Sequence, residues 1–134
     1  MSRVGAEIHR LLDRYITVFA SREPAAITAL HSPGSTYWLR LDKPPAISRN
    51  AVEREFEALF AQYPDLRCEV RDVRTGDSFW VLDWVMDFQG SRGRVRFDCL
   101  DLVDVDGDGL VDRKVTFVDL AQAQARILSD SRGG

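Results

Sequence analysis

The chain carries only two cysteines, Cys68 and Cys99, among 134 residues. They lack C-x-x-C spacing and each sits in a strand-like row, so neither a zinc site nor a disulfide framework is indicated. No apolar run is long enough for a membrane span. No charged-then-apolar leader is present either, because the start MSRVGAEIHRLL reads directly into a helix. Positive charge is not in excess: Lys+Arg number 18 against 21 Asp+Glu, giving a net charge of −3 and a pI of about 5.4. A nucleic-acid binder shows a basic face, and here Arg and Asp are interspersed. Repeats and low-complexity tracts are missing, and histidine appears only at His9 and His31. These absences leave a cytoplasmic, single-domain protein as the expectation, with neither membrane nor nucleic acid as partner. The 45% hydrophobic and 29% charged fractions are ordinary for a globular chain. The domain is expected to span 1–134, with its core over 5–125 and a disordered tail at 129–134.

What is present is organised around residues 92–119. Val95, Phe97, Cys99, Asp101, Val103 and Val105 share one face of an extended strand, because strand side chains alternate. Asp101 is the polar exception, and a buried carboxyl must find partners or stay protonated. The strand turns through Gly107 and Gly109 and returns over 110–119. In that return, Val111, Val115 and Phe117 form one candidate buried row. Lys114 and Thr116 form the opposite phase, and the direction of Lys114 stays open.

Earlier elements follow from periodicity. Val4, Ile8, Leu11, Leu12, Tyr15, Ile16 and Phe19 make an apolar stripe on a helix over 3–21. Tyr15 lies on that stripe, so its hydroxyl needs a partner. Pro24 suits the first turn of a short second helix reaching Leu30, and His31 follows it. TYWLRL at 36–41 reads as a strand. Asn50 with Glu53 has capping-box spacing before a helix over 51–62. From 66 the period becomes two, through Leu66, Cys68 and Val70. Trp80, Leu82, Trp84, Met86 and Phe88 form one apolar face of a strand over 78–89, fit for a core or for an apolar cavity wall. Gln89–Gly93 is a hairpin turn. After Asp119, LAQAQARIL is a short amphipathic tail. Helices first, then antiparallel strands, imply an α+β fold.

Asp104–Asp112 opens like a calcium loop, D-x-D-x-D-G. The position that requires a bidentate Glu is Val115, and the flanks read as strands. A solvated hairpin turn has the same composition. The expectation is no metal and no cofactor.

Three stretches resemble the nuclear-transport-factor-2-like (cystatin-like) superfamily, which includes ketosteroid isomerases, SnoaL-type polyketide cyclases, limonene-epoxide hydrolases and scytalone dehydratases. Arg14-Tyr15-Ile16 is similar to the R-Y-[IV] of ketosteroid isomerases. Asp101–Gly109 resembles the D-x-x-x-F-[ND]-x-x-G segment, and VTFVDLAQ resembles the end of the last strand. The resemblance implies a cone-like curved antiparallel sheet wrapped around three helices, an apolar small-molecule ligand and a homodimer. It places Tyr15 on the isomerases' oxyanion-hole tyrosine and Asp101 on their neutral aspartic acid, a case that is itself a standard example of a carboxylic acid kept neutral by an apolar site. Together they would donate two hydrogen bonds to an enolate oxygen. Leu39 stands where those isomerases carry the general-base aspartate, which leaves Asp42 or His31 as substitutes. The substrate wall would comprise Trp38, Trp80, Trp84 and Met86, with Thr116 and Lys114 beside Asp101. The expected function is an isomerase or cyclase acting on an apolar carbonyl or polyketide-like compound by proton transfer. A non-catalytic ligand-binding or dimerising module of the same fold is the alternative.

Overall fold

A computed structural model describes residues 3–41 and 43–131, with the side chains of 3–6, 129 and 131 left aside. The elements in order are α1 (Arg3–Ala20), α2 (Pro24–Thr28), β1 (His31–Arg40), β2 (Ala46–Ile47), α3 (Arg49–Gln62), β3 (Arg67–Thr75), β4 (Phe79–Gln89), β5 (Arg94–Val105), β6 (Val111–Val118) and α4 (Leu120–Ser131). One curved sheet runs in the order β2-β1-β6-β5-β4-β3. The α+β expectation therefore holds, with two corrections. The β1–β6 pair is parallel, and the long connection that such a pair needs is supplied by the elements from β2 to β5. A fourth helix, α4, takes residues 120–131, so the expected tail is helical as far as Ser131, and 132–134 lie outside the described residues.

The core fills the space between the inner face of the sheet and α1–α3. From α1 it takes Ile8, Leu12, Tyr15 and Phe19, and from α3 Val52, Phe56, Leu59 and Phe60. The sheet contributes the predicted β4 row, Trp80 to Phe88, and the β5 row. α4 stands beside the first half of β5, where β6 has ended: pairing of those strands begins at Cys99 with Val118. Gln122 Oε1 accepts the Asp98 N–H at 2.6 Å, and the Asp130 carboxylate accepts the Ser91 and Arg92 N–H groups. Backbone donors that would otherwise form a bare edge are thus satisfied by the helix.

The start of α3 differs from the expected capping box. Ser48 is the N-cap, accepting the Ala51 N–H at 3.2 Å, while the Glu53 carboxylate accepts a hydrogen bond from Thr28 Oγ1 at 2.9 Å. Ser48 has φ +98°, in the region that favours glycine. Ser48→Ala loses the cap and keeps the strain, so a loss of about 1 kcal/mol is expected in chemical denaturation. Ser48→Gly relieves the strain and should cost less.

Candidate functional site

Two irregularities in strand pairing build the site. Between β5 and β6 the register shifts after Val105–Val111, so that Asp104 faces Arg113, Val103 faces Lys114 and Asp101 faces Thr116. Directly opposed residues share a face. Lys114 and Thr116 therefore point inward with Asp101, and Val111 points inward too, across the bulge. The simple row Val111, Val115, Phe117 fails for that reason: Val115 is buried on the other face, and the Phe117 ring lies under Arg40. β1 carries a second irregularity between His31 and Thr36. It makes His31 the first residue of the strand, fully buried, rather than a residue preceding it.

The inward side chains meet beneath α1. Lys114 Nζ stands 3.6 Å from Asp101 Oδ2, and Thr116 Oγ1 donates to Asp101 Oδ1 at 2.7 Å. Both ionic side chains are about 95% shielded, at 4% and 5% exposure. The geometry is an ion pair, not the neutral acid that the resemblance implied. Tyr15 reaches in from α1, with its hydroxyl 2.8 Å from His31 Nε2, and His31 Nδ1 lies 3.3 Å from Ser35 Oγ. Burial, with Lys114 and Arg49 nearby, lowers the His31 pKa to about 3, so the ring is neutral at ordinary pH. Burial and then the Asp101 charge raise the Tyr15 pKa well above 10.0, so the phenol keeps its proton. Burial likewise pushes the Cys68 thiol up to about 12, which makes it an inert wall residue.

These groups open on a cavity of about 20 Å³ lined by Leu12, Tyr15, Phe19, Cys68, Trp80, Trp84, Asp101 and Lys114 among others. A single water needs roughly 10–15 Å³, so the interior is almost filled by its own side chains.

Of the residues named from sequence, the structure gathers Tyr15, His31, Asp101, Lys114 and Thr116, with Trp80 and Trp84 as walls. Two do not join them. Trp38 points to the opposite face of β1, where its Nε1 donates to the Lys43 carbonyl at 2.9 Å and Arg40 covers its ring. Met86 is core, opposite Cys68 and Phe97, and does not line the cavity. Asp42 lies outside the described residues. Tyr37 is the residue that sequence reasoning missed: it is buried on the inner face of β1, and burial raises its phenol pKa. The available signal was Leu39. A leucine packed inward fixes the phase of β1, and Tyr37 shares that phase while Trp38 opposes it.

The acidic turn has a plainer task. Asp106 Oδ1 accepts the backbone N–H groups of Asp108 and Leu110, each at 3.0 Å, and Gly109 takes φ +76°. Among the described residues, no group of three or more His, Cys, Asp or Glu is placed to hold a metal. Calcium in excess is expected to leave the melting temperature unchanged, whereas Asp106→Ala should cost about 1 kcal/mol through the lost turn bonds. A calcium-dependent rise that Asp106→Ala abolishes would overturn this.

The SnoaL-like domain family matches residues 12–113. This chain belongs to the SnoaL-like domain family. No curated protein matches the sequence. Solved structures match in fold. A protein from Jannaschia sp. CCS1, assigned as a SnoaL-like polyketide cyclase, superposes with a TM-score of 0.81 at 16% identity, covering 95% of each chain. TerC, co-crystallised with polyporic acid, gives 0.78 at 14% identity over 91% of this chain and 98% of its own. SalBIII, described as an epoxide hydrolase/cyclase-like enzyme in pyran ring formation in salinomycin, gives 0.74 at 14% identity over 85% and 92%. At these identities the superpositions establish the fold of this SnoaL-like chain, and its chemistry must be argued from its own residues. No described helix of it is long and apolar enough to cross a membrane.

Proposed function

We propose that this SnoaL-like chain binds a small apolar carbonyl compound between α1 and the sheet and moves a proton on its α-carbon, as an isomerase or cyclase. One observation carries the reading: the Asp101–Lys114 ion pair, with Tyr15 beside it, in an otherwise apolar interior. Such a pair is often no better for stability than apolar residues of the same volume, and charged groups in clefts concentrate at sites of chemistry.

The roles follow from the ion pair. Asp101, as a carboxylate, takes the α-proton and so does the work that Leu39 cannot do. The C–H electron pair moves into the enolate, whose oxygen is held by the Lys114 ammonium and the Tyr15 hydroxyl. Return of the proton to a different carbon is isomerisation; attack of the enolate carbon on a second carbonyl is cyclisation. His31 is not the base, since its Nε2 is engaged by Tyr15 and its pKa is about 3. In the Nε2–H tautomer it donates to the phenol oxygen and leaves the phenol proton for the ligand, a positioning role. The role of SalBIII in pyran ring formation and the co-crystallisation of TerC with polyporic acid support this substrate class. The reading includes a homodimer, supported by the resemblance and testable by light scattering.

The test is α-hydrogen exchange of 2-tetralone in deuterium oxide, followed by NMR with catalytic protein. Asp101→Asn and Tyr15→Phe are each expected to slow the protein-dependent exchange by roughly 10²-fold or more. Exchange that both variants leave unchanged would remove the mechanism. A second reading, a non-catalytic dimerising module of the same fold, is favoured by the cavity of about 20 Å³, far below the roughly 300 Å³ at which drug-sized pockets begin. A dimer in light scattering, with the ketone neither bound nor exchanged faster than in solvent, would decide for that reading.

A further inference from the structure

We propose that Lys114 is a charge filter: its ammonium fills, from within, an aromatic cage suited to an organic ammonium ion, so the pocket admits acceptor oxygens and turns away amines. The proposal rests on the reading of this cavity as a small-molecule site.

The cage comes from three elements. Lys114 Nζ lies 4.4 Å from the ring centre of Phe19, 4.8 Å from Tyr15, 5.7 Å from Phe56 and 5.8 Å from Tyr37. Asp101 Oδ2 stands on the remaining side at 3.6 Å. Several aromatic faces with a carboxylate make the arrangement by which proteins recognise alkylammonium ligands. Here a side chain of the same molecule takes that place. The choice of residue fits: the chain has sixteen arginines and only two lysines, Lys43 and Lys114. A compact ammonium enters such a cage, whereas a planar guanidinium is broader and carries five donors to satisfy.

Hydrogen-bond capacity then sets what else can enter. An ammonium has three N–H donors, and its contact with Asp101 is longer than a hydrogen bond. Trp84 lines the same cavity, and its buried Nε1–H has no acceptor among the described residues. A buried donor without an acceptor is costly. Lys114 and Trp84 thus present donors to the cavity, and a ligand that complements them brings oxygen lone pairs, as a ketone or an aldehyde does. A cationic ligand would meet Lys114 at short range in a poorly screened interior, where like charges repel strongly.

The experiment compares two probes of one shape, cyclohexanone and cyclohexylammonium, on the full chain, by melting temperature and tryptophan fluorescence. Native protein is expected to bind the ketone and to show no response to the ammonium ion. Lys114→Ala, which empties the cage and leaves Asp101, is expected to reverse the preference, with at least about tenfold tighter ammonium binding than native. Should Lys114→Ala not fold alone, it should fold with cyclohexylammonium and not with equimolar cyclohexanol. Trp84→Phe is expected to weaken the ketone severalfold without creating ammonium binding. Equal binding of both probes by native protein would overturn the filter and leave the small-molecule site standing. Binding of neither would overturn both. A Lys114→Ala protein that gains nothing from the ammonium ion would overturn the filter alone.

Discussion

Lys114→Ala is expected to lower folding stability by about 3–5 kcal/mol in chemical denaturation, as is Asp101→Leu. The cause is what each substitution leaves behind. In the first, the Asp101 carboxylate stays in an apolar interior with only Thr116 Oγ1 donating to it. In the second, the Lys114 ammonium keeps the faces of Tyr15, Phe19, Tyr37 and Phe56 but loses its counter-charge. Both side chains are almost fully shielded, so solvent relieves neither. From the sequence alone, replacing a lone carboxyl on an apolar row with leucine would be harmless or stabilising. The ion pair reverses that sign. The double variant Lys114→Met/Asp101→Leu removes both charges with little change in volume. It should lie within about 1 kcal/mol of native, or above it, because the desolvation penalty disappears with the attraction. Single variants that cost less than about 1 kcal/mol would mean that water reaches the pair. Stability restored in the double variant, with tetralone exchange lost, would separate the scaffold from the chemistry.

Stability is expected to fall with acid by about 1.4 kcal/mol per pH unit below pH 6.5, through His31. Its folded pKa is about 3 against 6.5 for the free side chain, because burial, Lys114 and Arg49 disfavour the imidazolium. Above pH 6.5 neither state binds the proton, and His31 adds no pH dependence. Between 6.5 and about 3 the unfolded chain binds a proton that the folded chain refuses, so stability is lost as pH falls. At pH 5 the loss is about 2 kcal/mol. Hydrogen bonds from backbone N–H groups lower the Asp65 and Asp130 pKa values from 3.8, so the loss they contribute is centred in more acidic solution. Urea titrations at pH 7, 6 and 5 therefore isolate His31. His31→Gln, which can still hydrogen-bond Tyr15, should flatten the profile across that window. A native profile already flat from pH 7 to 5 would mean that the imidazole can take up a proton inside the fold.

Local pattern carried some elements well and failed where tertiary contacts overruled it. The α1 stripe and the even row of β4 were legible because each element has one buried face and an unbroken period. Asp101 stood out for the same reason, as a carboxyl on an otherwise apolar face. At α3, the Asn50–Glu53 spacing pointed to a capping box. Glu53 was spent on Thr28 of α2, a partner that only packing brings near, and Ser48 took the cap. On β1, Trp38 looked like a cavity wall by composition. Strand phase decided otherwise, and that phase was already readable from Leu39.

The sequence by itself determined the α+β order and the SnoaL-like resemblance, and it singled out Tyr15 and Asp101 as polar exceptions on apolar faces, because periodicity and short motifs are local properties. Only the tertiary structure decided what those groups are. The bulge between β5 and β6 turns Lys114 inward against Asp101, and a bulge changes side-chain phase through pairing with another strand, which no single segment encodes. The distortion of β1 buries His31 against Tyr15 across 16 residues of sequence. The charge state of a buried group depends on its neighbours in space, so the step from a neutral acid to an ion pair belongs to the fold.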